Sequence, residues 1–282
     1  MAEAETVFGN TVPSNRMQVG VTMKYTFLEY FRSRRFFILL IITLIISAIL
    51  TALVGYYRPE SFLSDSLSFY RSWWGNSANF VIILSGIFFG GDAISGEFQN
   101  KTGYFVVPNP LRRSSLYVGK WLSAFIAASI IFLIFAGITV GNGLYYFGAN
   151  VPIQFVQSLF YAWFYLVAVM GVTFFFSSLF KSTSMSILVT AILFLFVFQL
   201  IVTLVSSLVK IEPWFIVTYG AGIIGNVLTV PYPDPLIVQH VGRNITVNIY
   251  NASVPEGLAI MGLYFIITAA LGLLFFERKE FT

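Results

Sequence analysis

The sequence predicts an all-α fold: a polytopic membrane protein with six transmembrane helices, an N-terminal interfacial helix and a re-entrant extracellular element before the last span. Three observations carry that expectation. The chain of 282 residues is 57% hydrophobic and only 10% charged, with a mean hydropathy of +0.83, whereas soluble domains average roughly 25% charged residues. Stretches free of Asp, Glu, Lys, Arg and His recur at bilayer-crossing length. The cationic residues then divide unevenly between the two sides that those stretches define.

A helix crossing roughly 30 Å of hydrocarbon needs about 20 apolar residues. Charge-free stretches run over 36–57, 72–91, 121–180, 182–209 and 257–276. The stretch 121–180 is too long for one helix and breaks at the turn-forming cluster from Gly148 to Pro152. The resulting spans are about 36–57, 74–93, 121–147, 155–180, 183–209 and 257–276, together forming a transmembrane domain over 36–276.

Ahead of the first span, residues 1–18 read as a cytoplasmic tail and 19–35 as an amphipathic interfacial helix. At helical spacing Met23, Phe27, Tyr30 and Phe31 share one side, while Thr22, Thr26, Glu29 and Arg32 share the other. Arg32, Arg34 and Arg35 fall where anionic head groups lie. The polar first twenty residues and the long first apolar run do not match a cleavable signal peptide.

Residues 213–233 are uncharged but hold Pro213, Gly220, Gly222, Gly225, Pro231 and Pro233. Such breakers argue against a seventh straight span and for a re-entrant element in an outer loop, 210–256. Parity agrees. With six spans and both termini cytoplasmic, twelve Lys and Arg lie inside, and Arg58, Arg71, Lys210 and Arg243 lie outside, a strong positive-inside bias. The outer loop also carries two sequons, at Asn244 and Asn251, which are candidate glycosylation sites. Residues 277–282 form a second cytoplasmic tail. The expected location is the cell membrane.

Composition also bounds the chemistry. There is no cysteine, so disulfides and thiolate sites are excluded. The formal charge of +4 follows from the basic inner loops and calls for no nucleic acid. No span carries an ionisable residue at its middle, where proton relays and ion sites place them; Asp92 and Glu97 come nearest, at the inner end of the second span. Gradient-driven transport is therefore disfavoured. The single histidine, His240, lies in the outer loop with Asp234 nearby. No metal-ligand cluster, no Gly-x-Ser-x-Gly elbow and no phosphate-binding loop is present: Gly119-Lys120 is followed by Trp121 and lacks the upstream glycine. Catalytic, metal and cofactor sites are accordingly expected in none of these residues. Two Gly-x-x-x-Gly pairs, Gly86/Gly90 and Gly137/Gly141, would permit close helix contacts.

One segment stands apart. The cytoplasmic loop 94–120 mixes Tyr104, Phe105, Val106 and Val107 with flanking charges and closes on Pro108 and Pro110. An apolar cluster with a charged rim suits a docking surface. Glu97, Lys101-Thr102-Gly103, Val106-Val107-Pro108, Arg112-Arg113 and Gly119-Lys120 together resemble the signature of the membrane permease subunits of ATP-binding-cassette (ABC) transporters of the type-2 permease family. Two details depart from that signature. The family usually has Gly before Thr, and it favours leucines where the valines stand.

The resemblance implies a permease that pairs with a second permease subunit, identical or homologous, and with a separate ABC ATPase subunit. ATP and magnesium would sit on that ATPase, and this chain would hold no cofactor. The loop after the second span would be a coupling helix in a groove of the ATPase. Glu97 and Lys101 would fix the start of the loop, Thr102, Gly103 and Tyr104 to Pro108 would turn and dock, and Arg112 and Arg113 would meet phospholipid or an acidic rim. Lys181 would make a smaller second contact. The phenylalanine-rich spans favour an apolar or amphipathic cargo, exported or extracted. The competing expectation is a non-transport membrane anchor or accessory subunit of a larger complex.

Overall fold

The computed structural model describes residues 14–101, 112–241 and 245–279. Its helices in chain order are α1 (Asn15–Arg32), α2 (Arg34–Tyr57), the short α3 (Glu60–Leu63), α4 (Ser66–Gly90), the short α5 (Ser95–Gln99), α6 (Arg113–Phe147), α7 (Ile153–Leu179) and α8 (Thr183–Val209). Two four-residue helices, α9 (Val217–Gly220) and α10 (Ile223–Asn226), precede a hairpin of β1 (Leu236–Val241) and β2 (Ile245–Tyr250), and α11 (Val254–Arg278) ends the described chain. Six of these helices are long and apolar enough to cross a membrane: α2, α4, α6, α7, α8 and α11. The all-α, six-span expectation is met.

Two spans start well before their charge-free stretches, α4 at Ser66 and α6 at Arg113. α4 begins at Ser66 because Asp65 caps it, its carboxylate accepting from the Leu67 and Ser68 amides at 3.1 and 3.3 Å. Arg71, inside this helix, cut the charge-free stretch short. α6 begins at Arg113, so the second half of the loop 94–120 is already helix. From Arg113 to Lys120 only Gly119 disfavours a helix, and there it makes room for Thr22 of α1, while both cations find partners.

The core lies where α4 passes between α6 and α7. Phe69, Tyr70, Trp73 and Trp74 of α4 are fully buried against Phe132 and Phe135 of α6 and Phe155 and Tyr165 of α7. The Trp74 ring stacks on Phe135 and meets Phe155 edge-on. Its indole donates to Ser158 Oγ at 2.9 Å, and that hydroxyl donates to the Ile224 carbonyl at 2.5 Å, fastening α10 to α4 and α7. Lower down, Gly86 and Gly90 let α4 and α7 meet closely: a Cβ at either would overlap Val169 or Thr173. Gly137 and Gly141 have no neighbour within 4 Å of such a Cβ.

Residues 213–233, expected to form a re-entrant element, hold α9 and α10 and irregular turns. Val217, Tyr219, Gly220, Ile223 and Ile224 are buried, and a Cβ on Gly220 would meet Ile260 of α11 at 3.1 Å. The irregular backbone is thus covered by protein. The hairpin that follows is a further feature. Its strands pair antiparallel from Leu236↔Tyr250 to Val241↔Ile245, and Asn251 N donates to the Pro235 carbonyl at 2.9 Å.

α1 (Asn15–Arg32) covers most of the expected interfacial helix and packs on α6. Gln18, Thr26 and Tyr30 are the buried residues, and Thr22 abuts Gly119 of α6, where a Cβ would come within 2.7 Å of Thr22 Cβ. Met17, Val21, Tyr25, Leu28 and Phe31 are exposed. The packed face thus draws on both predicted sides: Thr26 and Tyr30 are buried and Phe27 packs against the core, while Glu29, Phe31 and Arg32 are exposed. The short side chain of Thr22 lets α1 lie close to α6 at Gly119.

Candidate functional site

The loop-bearing end of the bundle is built from α1, the ends of α4, α7 and α11, the starts of α2, α6 and α8, and α5. Ser33 joins the first two helices. Its amide and hydroxyl both donate to the Tyr30 carbonyl, at 3.0 and 2.7 Å, closing α1, while its hydroxyl accepts from Phe36 N at 3.3 Å, opening α2. Arg35, the second residue of α2, forms an ion pair with Asp92 beyond the end of α4. Tyr30 donates to the Phe89 carbonyl at 2.8 Å. Burial raises the Tyr30 pKa, so this hydroxyl keeps its proton.

α5 is held from a different helix. Ser177 Oγ of α7 accepts from the Ile94 and Ser95 amides at 2.9 and 3.0 Å, doing the work of an N-cap. Glu97 of α5 pairs with Lys120 of α6, whose ammonium also donates to the Ala93 carbonyl at 2.9 Å. The Glu97 and Lys120 side chains are 17% and 11% exposed, so this pair is largely removed from water. Gln99, at the end of α5, accepts from Thr183 N at 2.7 Å and so caps α8.

The far end of the loop is held too. Arg112 N donates to Gln18 Oε1 of α1 at 3.0 Å. Arg113 Nη1 donates to the carbonyls of Glu277 and Lys279, both at 2.8 Å, and of Phe276 at 3.4 Å. A cation at the C-terminal carbonyls of a helix complements its dipole. Lys279 in turn donates to the carbonyls of Ser178, Leu179 and Phe180 at 2.9, 3.2 and 2.8 Å, closing the end of α7. Its ammonium lies 4.3 Å from the centre of the Phe98 ring. Burial, aided by the charge of Lys181, lowers the Lys279 pKa from 10.5 to about 8.

The predicted site residues therefore divide into three groups. Glu97, Arg112, Arg113 and Lys181 gather at one end of the bundle, around the two ends of the loop. Lys101 follows α5 with φ +56° and is exposed. Thr102, Gly103, Tyr104, Phe105, Val106, Val107 and Pro108 lie outside the described residues. The described contacts of Arg113 include the backbone carbonyls of Phe276, Glu277 and Lys279 at the end of α11. Lys120, Lys279, Arg35 and Gln18 were not anticipated. Lys120 and Glu97 are both in the sequence signature, but nothing in their spacing shows that they meet.

At the opposite end, Asn251 Nδ2 donates to the Asp234 carbonyl at 2.8 Å, so the nitrogen that would carry a glycan is engaged. Asn244 lies outside the described residues.

Between α4, α7, α8 and α9 lies a cavity of about 210 Å³, lined in part by Asn79, Phe80, Phe194, Gln199 and Thr218. Asn79 Oδ1 and Thr218 Oγ1 are buried without a hydrogen-bond partner. α8 is irregular here, with π turns over Leu193–Val197 and Val205–Val209, a distortion common at functional sites.

The six spans and the braced loop end coincide with a family match that covers residues 23–281, to the ABC-2 family transporter protein model. The chain belongs to the ABC-2 transporter family. Among curated proteins none matches it. An ABC-2 family protein of this kind is a multi-pass membrane permease subunit that works with an ABC ATPase, and the match runs from α1 to the end of α11 and beyond it. In this ABC-2 permease the residues that sequence and structure single out together are those that anchor the two ends of 102–111.

Proposed function

We propose that this permease takes force from a separate ATPase through the loop 102–111 and moves an apolar or amphipathic substrate along its interface with a second permease subunit. The bracing of the loop carries the reading. On one side the Glu97–Lys120 pair, the Ser177 cap and Gln99 tie the loop's start to α6, α7 and α8. On the other side Arg112 and Arg113 tie its return to α1 and α11. A push on so short and doubly anchored a loop reaches most of the spans as displacement of whole helices. By the charge bias of the sequence this end faces the cytoplasm, where ATP is available to the ATPase subunit.

Two features support the choice of cargo. The cavity beside α8 is lined mainly by apolar side chains, with two unpartnered polar atoms at its wall, as amphipathic ligands require. The spanning windows of α8 and α11 are each only 17% buried, leaving wide faces for lipid or a second subunit.

The test replaces Val106 and Val107 with Arg in the full chain and measures co-purification of the ATPase and substrate-stimulated ATP hydrolysis in proteoliposomes. Loss of both, with the permease still folded, is expected. Undiminished co-purification would rule out docking through this loop.

A further inference from the structure

The base of the loop encloses a second cavity, of about 310 Å³, at the junction of α1, α2, α5 and α6, within the roughly 300–1,000 Å³ of ligand pockets. Its charged lining consists of Glu29, Asp92 and Glu97 against Arg35 and Lys120. The two cations are each matched by an ion pair, Arg35 with Asp92 and Lys120 with Glu97. Glu29 forms no ion pair among the described residues, so the lining has one negative charge in excess.

Asp92 is also incompletely used. Its Oδ2 meets Arg35, while Oδ1 is buried with no hydrogen-bond partner. A buried acceptor without a donor is costly, and the soft terminal torsion of Asp lets either oxygen turn to the cavity. The described lining therefore lacks one positive charge and an N–H donor for Asp92 Oδ1. A primary ammonium supplies both, with three donors on a compact cation. A trimethylammonium offers no N–H and instead needs an aromatic cage. Tyr30 is the aromatic residue in the lining, and its hydroxyl is committed to the Phe89 carbonyl.

Position identifies what carries the ammonium. The cavity lies beside Ser33, where the interfacial helix turns into the first span, so it sits at head-group depth. Arg32 and Arg34 flank that turn and are exposed, placed to meet a phosphate. We propose that this pocket binds the head group of phosphatidylethanolamine from the leaflet that α1 lines, the ammonium held by Glu29 and Asp92 and the phosphate by Arg32 and Arg34. The bound ammonium lies beside Glu97, so the lipid becomes part of the base from which the loop 102–111 springs. The inference does not depend on transport, because binding can be measured without the ATPase.

The test reconstitutes the full permease in nanodiscs of equimolar phosphatidylethanolamine, phosphatidylcholine and phosphatidylglycerol and weighs the retained lipids by native mass spectrometry. Several-fold enrichment of phosphatidylethanolamine over both others is expected, lost in Glu29→Gln and kept in Glu29→Asp. Glu29 is exposed, so these variants leave the fold intact, which thermal unfolding verifies. Equal retention of ethanolamine and choline lipids, or enrichment unchanged in Glu29→Gln, would overturn the proposal. Soluble phosphoethanolamine separates the sources: failure to displace the lipid upholds a membrane ligand, and displacement at low concentration replaces the lipid with a soluble ligand of the same chemistry.

Discussion

Lys120, deep in the wall of α6, reaches across to Glu97 of α5 and joins the two ends of the loop-bearing segment by a single ion pair. Its ammonium also takes the Ala93 carbonyl, so its charge and its hydrogen bonds are both used. Removing one member of a buried pair leaves the other charge without compensation, at a cost of about 3–5 kcal/mol. Lys120→Met should destabilise the permease by an amount of that order, read from chemical or thermal unfolding in detergent. The double variant with Glu97→Leu should recover most of the loss, since neither charge then remains. A double variant as unstable as the single one would show that the pair is not the source of the effect.

Lys279 gives a pH-dependent signature. Burial and Lys181 depress its pKa to about 8, below the unfolded value of 10.5, so the folded state penalises the charged form. That penalty is fully present below pH 8 and is relieved as the pH rises from about 8 towards 10.5. Amine-directed labelling followed by mass spectrometry should find Lys279 reacting with a midpoint near 8 in the folded protein. Lys181→Glu should move the midpoint upward, and a midpoint indifferent to that change would contradict the assigned cause.

The crossing of α4 on α7 depends on the absence of side chains at Gly86 and Gly90. Gly90→Val forces a branched side chain against Thr173 and should cost about 1–3 kcal/mol by overpacking. Gly137→Ala, where a Cβ meets nothing within 4 Å, should be neutral or stabilising by up to about 1 kcal/mol, because Ala is the better helix former. Paired unfolding measurements on the two variants check the contrast.

Asp65 holds the start of α4 through two backbone amides and the Ser64 hydroxyl. The Ser68 hydroxyl most of all, with the Ser68 amide, the Ser64 hydroxyl and the Leu67 amide, keeps its carboxyl below the usual carboxylate range. The stabilisation is therefore present above the unfolded pKa and is lost as the pH falls through the depressed folded value. Asp65→Ala should cost about 0.5–2 kcal/mol at neutral pH, the usual worth of an N-cap. The difference from wild type should shrink in acid, as followed by unfolding at several pH values.

The spans could be read from the sequence because hydrocarbon imposes one coarse demand, about 20 apolar residues per helix, which every candidate segment meets or fails visibly. Their ends were harder to read. Arg71 and Lys120 belong to spanning helices, yet counting charge-free residues cut both helices short, and only the partner Glu97 shows why Lys120 is tolerated. The hairpin was within reach: Leu236 to Val241 and Ile245 to Tyr250 are rich in β-branched and aromatic residues and flank a short break. The burial of α1 was legible only in part. A helical pattern separates two faces, but it did not show that Thr26 is buried beside Tyr30 while Phe31 is exposed. The contacts of Lys279 with the end of α7 link positions about a hundred residues apart, and no local pattern records such a meeting.

The two π turns in α8 each accommodate one residue more than an α-helix would use. Since every residue advances an α-helix by about 100°, each such turn rotates the rest of the segment relative to its regular course. Seen from Thr183, the side chains after Leu193–Val197 and those after Val205–Val209 are therefore indexed on three different phases. A one-residue deletion at either place would straighten the helix and re-aim its outer half without shortening the crossing appreciably. Among the described residues the π turns lie in the fifth span, so gaining or losing a single codon there would redirect its outer face.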